Sequence, residues 1–137
     1  NAGVFKSTDF GATWTAINTG LSTNTFRAIE SKGTTLFLGG EIGSGVFRST
    51  NGGASWTQLG GGLSSSAYRG FASNDQLIIA GSFTAGIFYS RNNGDTWVSL
   101  NTGLTDLSVF DLAITDTAVV AATNTSGVFR IALSAFK

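Results

Sequence analysis

The chain has 137 residues, of which 42% are hydrophobic, so it fits one ordinary domain with a substantial core. Eight basic and eight acidic side chains leave no net charge, which argues against nucleic acid or an anionic membrane surface as a partner. The absence of Cys and His excludes disulfides, thiolate metal sites and Ser-His or Cys-His nucleophiles, and the apolar runs are too short to span a bilayer.

An eight-residue pattern, Ser-x-Asp/Asn-x-Gly-x-Thr/Ser-Trp, occurs at 7–14, 49–56 and 90–97. Its third residue can accept hydrogen bonds from nearby backbone N–H groups, and its Gly permits positive φ. A β-branched and aromatic run precedes each copy, so each predicts a hairpin, the first with arms at 3–7 and 13–18. We assign a structural role in these turns to Ser7, Asp9, Gly11, Trp14, Ser49, Asn51, Gly53, Trp56, Ser90, Asn92, Gly94 and Trp97, and we expect the Trp rings in the core.

The pattern belongs to a longer repeat, because its Trp residues are spaced by 42 and 41 positions. A turn-like link follows each hairpin, and then a strand that we begin at Phe26, Tyr68 and Phe110. The next strand is more apolar, as at 77–80, which is typical of a strand covered on both faces. A loop leads back into the hairpin, and a final strand at 127–134 lacks the turn pattern. No helix is predicted.

The eight-residue motif resembles the Asp-box, or BNR, repeat. Four strands in about 41 residues resemble a blade of the sialidase-like β-propellers, which include sialidases, xyloglucan-cleaving proteins and secreted bacterial repeat proteins. The sequence pattern Gly-Val-Phe-x-Ser-Thr-Asn-x-Gly is most similar to the secreted bacterial repeat proteins. The resemblance implies an all-β propeller segment of about three blades, with Asp-box hairpins joining the third and fourth strands. It also implies a secreted or cell-surface location.

The implied division is a partial blade at 1–20, blades at 21–61 and 62–102, and a partial terminal blade at 103–137. Propellers close with about four to eight blades, so three would leave apolar faces open. Two expectations follow: the remaining blades of a longer chain, or a homo-oligomer in which two chains close a ring of about six or seven blades. The loss of the pattern from residue 131 favours assembly.

The resemblance places the Asp boxes away from the ligand face, and each has too few charged oxygens for Ca²⁺. We expect no metal and no cofactor. The ligand face lies at the other end of the blades, where we place Arg27, Arg69 and Asp111, with Tyr68 and Glu41 beside them. An arginine triad binds the substrate carboxylate in sialidases, and Asp111 breaks such a series. Alternatively, the three residues form ion pairs between blades or line a solvated channel.

These features favour a non-catalytic module that binds a glycan or a protein at the channel face. The main rival is a fragment of a sialidase-type glycoside hydrolase, since carboxylates and Tyr can act without His. A third hypothesis is an accessory subunit that docks in a larger complex.

Overall fold

The computed structural model describes residues 2–64 and 67–137 as an all-β fold of four antiparallel sheets. The first sheet is a hairpin of β1 (Phe5–Lys6) and β2 (Thr15–Ala16). The second sheet contains β3 (Phe26–Lys32), β4 (Thr35–Gly40), β5 (Val46–Ser49) and β6 (Thr57–Gln58). The third contains β7 (Tyr68–Ser73), β8 (Ile78–Ser82), β9 (Gly86–Ser90) and β10 (Val98–Ser99). The fourth contains β11 (Val109–Ile114), β12 (Ala118–Thr123) and β13 (Val128–Ala132).

The strands of each sheet follow one another in sequence order, and neighbouring sheets meet through their first strands, β3 with β7 and β7 with β11. This is the radial arrangement of propeller blades, and it confirms the predicted fold class of a partial propeller. Within the described part of the chain, no helix is long and apolar enough to cross a membrane.

Among the described residues, the core lies between the sheets as three clusters, one for each pair of neighbours. Successive residues of β4 face opposite ways, so Phe37 packs toward the third sheet and Leu38 toward the first hairpin. Ile78 and Ile79 divide between two clusters in the same way. This two-sided burial explains why the second strand of each repeat is continuously apolar, as the sequence predicts.

The side chains of the eight-residue motif hold its turn. The Ser7 hydroxyl oxygen accepts a hydrogen bond from the Gly11 N–H at 2.8 Å, and Asp9 Oδ1 accepts one from the Thr13 N–H at 2.9 Å. Equivalent bonds join Ser49 to Gly53, Asn51 to Ser55, Ser90 to Gly94 and Asn92 to Thr96. The Gly residues adopt φ between 89° and 90°. The predicted turn chemistry is therefore present in all three copies.

Trp14 departs from the expectation that the motif's Trp rings lie in the core. Trp56 and Trp97 are each 4% exposed, but Trp14 is 62% exposed. Trp56 and Trp97 pack toward the preceding sheet, as the edge contact of Trp97 with Phe37 at 6.4 Å shows. In the described part of the chain no sheet precedes the first hairpin, so Trp14 has nothing to cover it.

The final segment also departs from its prediction. The strand predicted at 127–134 ends at Ala132, and Leu133–Ala135 form one turn of 3₁₀-helix. This turn brings the Phe136 ring against Tyr89 on β9, 5.2 Å between ring centroids. Phe136 is thereby buried against the third sheet, much as Trp97 is buried against the second.

Main-chain contacts join each link to the next hairpin motif. The Thr19 carbonyl accepts a hydrogen bond from the Trp56 N–H at 2.9 Å, and the Gly61 carbonyl accepts one from the Trp97 N–H at 2.7 Å. Gly62 has φ +105°, and a Cβ there would overlap the Trp97 carbonyl oxygen. This close approach requires Gly both for its positive φ and for its missing side chain.

Candidate functional site

A bulge at the start of the first strand of each full or terminal sheet turns one side chain out of the ladder. Tyr68 pairs with Ser82 and Gly70 with Gly81, which leaves Arg69 without a partner residue. The same shift isolates Arg27 in β3 and Phe110 in β11. Bulges of this kind re-aim a side chain, and here they place three side chains at one end of the sheets.

The structure corrects the third member of the predicted series. The residue equivalent to Arg27 and Arg69 is Phe110, whereas Asp111 stands in the ladder opposite Ala122. Asp111 is exposed, and its Oδ1 accepts a hydrogen bond from the Leu112 N–H at 2.9 Å. Arg27 and Arg69 are 42 residues apart, but the repeat step between the third and fourth sheets is 41 residues at this position, so Phe110 and not Asp111 continues the series.

The links and the loops between second and third strands meet at this end, which we call the link end. The Phe83 N–H donates to the Ala67 carbonyl at 2.8 Å, and the Asn124 N–H donates to the Ser108 carbonyl at 3.0 Å. Glu41 stands at the loop position equivalent to Phe83 and Asn124. The loop therefore gives the outturned residue of each sheet a different neighbour.

In the second sheet that neighbour is a carboxylate. Arg27 Nε donates to Glu41 Oε1 in an ion pair. The Arg27 side chain is half exposed, so the pair contributes less than about 1 kcal/mol to stability. The Arg27–Glu41 pair lies within the second sheet. An ion pair between sheets is formed by Arg48 and Asp95, with a distance of 2.6 Å from Nη1 to Oδ1. Arg27 and Glu41 thus satisfy each other and leave little free charge.

In the third sheet the neighbours are aromatic. The Arg69 guanidinium carbon lies 3.9 Å from the Phe83 ring centroid and 5.0 Å from that of Phe110. The two rings are 5.7 Å apart at an angle of 59°. Cation–π attraction therefore fixes the guanidinium between a loop of the third sheet and the first strand of the fourth. Its buried Nε has no hydrogen-bond partner among the described residues.

Tyr68, predicted as a ligand contact, is enclosed in the core. Its relative exposure is 0%, and its ring packs edge-on against Phe88 at 6.1 Å. Its hydroxyl donates to the Ser64 carbonyl and accepts from the Ser64 N–H, both at 3.1 Å. Burial raises the pKa of this hydroxyl. Tyr68 therefore supports the preceding link and cannot contact a ligand directly.

Asp106 organises the link end of the fourth sheet. Its carboxylate accepts hydrogen bonds from the N–H groups of Thr125 at 2.7 Å, Ser108 at 2.9 Å and Ser126 at 3.2 Å, and from the Thr125 hydroxyl at 2.8 Å. These donors, the Thr125 N–H first among them, lower the pKa of Asp106 to about 2. The described residues contain no group of three or more His, Cys, Asp or Glu side chains that could hold a metal ion.

Acid should weaken the structure through this carboxylate. Because the pKa of Asp106 falls from 3.8 to about 2 on folding, its stabilising effect is complete above about pH 5 and is lost as the pH falls toward 2. Asp106→Asn should lower the melting temperature at pH 7 and flatten its fall between pH 4 and pH 2. Thermal unfolding followed by circular dichroism across this range checks both effects.

Asp9→Asn is the matched control. The pKa of Asp9 is also lowered to about 2, chiefly by the Thr13 hydroxyl, but Asn already occupies the equivalent positions 51 and 92. This variant should keep its melting temperature at pH 7. A pH profile unchanged in Asp106→Asn would contradict the role given to Asp106.

Comparison by sequence finds no matching family profile and no matching curated protein. Comparison by structure does find relatives of the fold. An ancestral GH74 enzyme is 26% identical with a TM-score of 0.73, over 93% of this chain and 20% of that chain. The GH74 xyloglucanase from Xanthomonas campestris is 16% identical with a TM-score of 0.66, over 98% of this chain and 26% of that chain.

A third structure is YCF48 bound to D1 peptide, which is 13% identical with a TM-score of 0.56, over 82% of this chain and 43% of that chain. These are β-propeller proteins, and the class defined by fold and comparison is therefore that of a propeller segment. The chain spans less than half the length of each of these three structures.

Proposed function

We propose that the chain is a non-catalytic binding module that holds a carboxylate-bearing ligand at Arg69. One observation carries the proposal: a half-buried guanidinium is fixed between the rings of Phe83 and Phe110. A planar guanidinium matches a carboxylate with two parallel hydrogen bonds. Because the rings already fix the group, the ligand need not order a mobile side chain, which reduces the cost of binding.

The ligand is an acidic glycan or an acidic segment of a protein, which share this carboxylate. Exposed parts of the two rings add an apolar surface for a sugar face or a peptide side chain. The peptide complex of YCF48, another propeller, supports the protein alternative. A protein ligand held in this way would make the chain an accessory subunit of a larger complex.

Arg69→Met should reduce affinity for the ligand at least about tenfold, which corresponds to about 1.4 kcal/mol. Met keeps an unbranched chain between the rings but removes the charge and the donors. The probes are a sialylated oligosaccharide and a Glu-rich peptide, each compared with its neutral methyl ester or Gln counterpart by titration calorimetry. If only one of the two probes binds, and its neutral counterpart does not, that probe identifies the class of the ligand.

Lys32→Met is the control, because it removes one positive charge at the far end of β3, where Lys32 Nζ donates to the Asp75 carbonyl at 2.9 Å. It should leave affinity unchanged. An equal loss of affinity in the two variants would mean that the ligand responds to the overall charge of the chain and not to Arg69. If neither acid binds to the unsubstituted chain, the proposed function is wrong.

The GH74 neighbours make glycoside hydrolysis the second candidate. Such chemistry uses a carboxylic acid of raised pKa together with a second carboxylate. At the link end Glu41 is paired with Arg27, and the pKa of Asp106 is lowered, so neither resembles a general acid. Turnover of a fluorogenic sialoside or of xyloglucan that Glu41→Gln abolishes would overturn the non-catalytic proposal.

A further inference from the structure

The two ends of the chain carry complementary parts of one blade. The first hairpin supplies the equivalents of the third and fourth strands, and the last sheet supplies the first three. Residues 3–6 read Gly-Val-Phe-Lys, and residues 127–130 read Gly-Val-Phe-Arg. β1 and β13 are therefore two nearly identical candidates for the same edge of β12.

The face of the second sheet that meets the first hairpin has one open part. In the third and fourth sheets, Phe71 and Leu112 are each 7% exposed because the first two strands of the preceding sheet cover them. Their equivalent in β3, Ile29, is 59% exposed. Ile29 lines an apolar groove of about 390 Å³ together with Leu36 and Trp14. The groove is the position that two strands equivalent to β11 and β12 would fill.

A second open position lies beside the last link. Gly103 follows Gly20 and Gly62 in the repeat, and a Cβ at either of those would overlap a motif Trp carbonyl. At Gly103 no atom of the described residues lies within 4 Å of the equivalent point. A groove of about 260 Å³ runs from here along β13, lined by Leu104 and by residues 129–132. The groove is shaped for the main chain of a motif Trp and the short strand that follows it.

We propose that a second copy of this chain fills both positions by exchanging its first hairpin. β1 of one copy replaces β13 at the edge of β12 in the other copy. The main chain of Trp14 from the first copy then packs on the link at 102–104 of the second. In return, β11 and β12 cover Ile29 and Leu36 of the copy that donated the hairpin.

The stoichiometry supports a second copy as the occupant. Without β13, the described residues of each chain contribute twelve strands, which make three four-stranded blades. Two copies then close a six-bladed ring with twofold symmetry, within the size range of propellers. The exchanged strand keeps the Gly-Val-Phe sequence in the ladder. The exchange gives up the β12–β13 pairs and the burial of Phe136 against Tyr89, and it gains the β12–β1 pairs and the cover for Trp14 and Ile29. The inference does not depend on the ligand proposed for Arg69.

The first test is the mass in solution by light scattering after size exclusion, expected at twice the 14.1 kDa of one chain. Gly103→Asn should give a single chain, because any Cβ at 103 blocks the incoming Trp14 backbone but meets none of the described residues of its own copy. Asn tolerates the φ of +81° at this position.

Gly43→Asn is the matched control, because Gly43 has φ +85° and an added Cβ there would have no atom within 4 Å among the residues that the structure describes. The equivalent positions, Ala85 and Ser126, already carry side chains, so this variant should keep the double mass. A single-chain mass for the unsubstituted protein at all concentrations would overturn the proposal and leave the open positions to further blades of a longer chain. A mass above two copies, or a double mass that survives Gly103→Asn, would overturn it as well.

The second test uses the absence of Cys from the chain. Val120 lies opposite Arg130 in the β12–β13 ladder, and Lys6 is the repeat equivalent of Arg130. On mixing and oxidation, a Lys6→Cys chain and a Val120→Cys chain should form a disulfide between copies, and neither should do so alone. A double mass without this cross-link, together with an internal disulfide in the Val120→Cys, Arg130→Cys chain, would show that no strand is exchanged.

Discussion

Gly62→Ala is expected to destabilise the chain by about 3 kcal/mol or more, since positive φ costs a residue with Cβ about 1–2 kcal/mol and a main-chain overlap adds to it. The overlap is with the Trp97 carbonyl oxygen, and relieving it would separate the third hairpin motif from its link. Urea unfolding followed by tryptophan fluorescence measures the change in the free energy of unfolding.

Gly103→Ala is the control for the conformational part alone, because its φ is +81° and its Cβ would meet no atom. It should cost only the strain of positive φ, about 1–2 kcal/mol. Both variants are measured at low protein concentration, so that association does not add to stability. Equal losses in the two variants would mean that the contact between link and motif contributes nothing.

Trp97→Ala is expected to cost about 3–5 kcal/mol, the usual range for removing a large aromatic side chain from a core. The ring is 4% exposed, meets Phe37 edge-on, and donates from its Nε1 to the Gly94 carbonyl at 3.0 Å. Thermal and urea unfolding should agree on the loss. Proteolysis should then begin in the third or fourth sheet, which the ring helps to join to the second.

Trp14→Ala offers the same substitution at the same motif position with little burial. Trp14 also donates to its own motif, to the Gly11 carbonyl at 3.2 Å, but its ring is mostly exposed. The single chain should therefore lose no more than about 0.5 kcal/mol. A loss comparable to that of Trp97→Ala, in dilute solution, would show that the first hairpin depends on its ring for folding.

The order of strands could be predicted because each carries a local signal. An apolar second strand recurs in the second, third and fourth sheets, and a Gly turn with a Trp after it recurs in the first three repeats. These signals decide which segments pair with their neighbours. The structure bears this out in the strand order of all four sheets. Trp14 could not be placed from the motif alone, because its burial depends on what precedes the hairpin.

The link end was harder to predict because a bulge shifts the register by one residue. Gly86 and Gly127 are 41 positions apart, and the same step from Arg69 reaches Phe110. The 41-residue spacing of these Gly residues was the signal that could have identified Phe110. The 42-residue spacing of Arg27 and Arg69, applied once more, predicts Asp111 instead. The enclosure of Arg69 by two rings had no such signal, since Phe83 and Phe110 belong to different sheets and meet only after the sheets pack.

The hairpin motif closes its hydrogen bonds within eight residues, and its join to the preceding link uses main-chain atoms. A duplicated segment of one period would carry its own turn, and it would attach to its neighbours through groups that every residue possesses. Substitutions on strand faces can then accumulate without loss of either feature. Such an arrangement would allow the number of blades to change by whole units, with a different outturned residue in each blade, as Phe110 differs from Arg27 and Arg69.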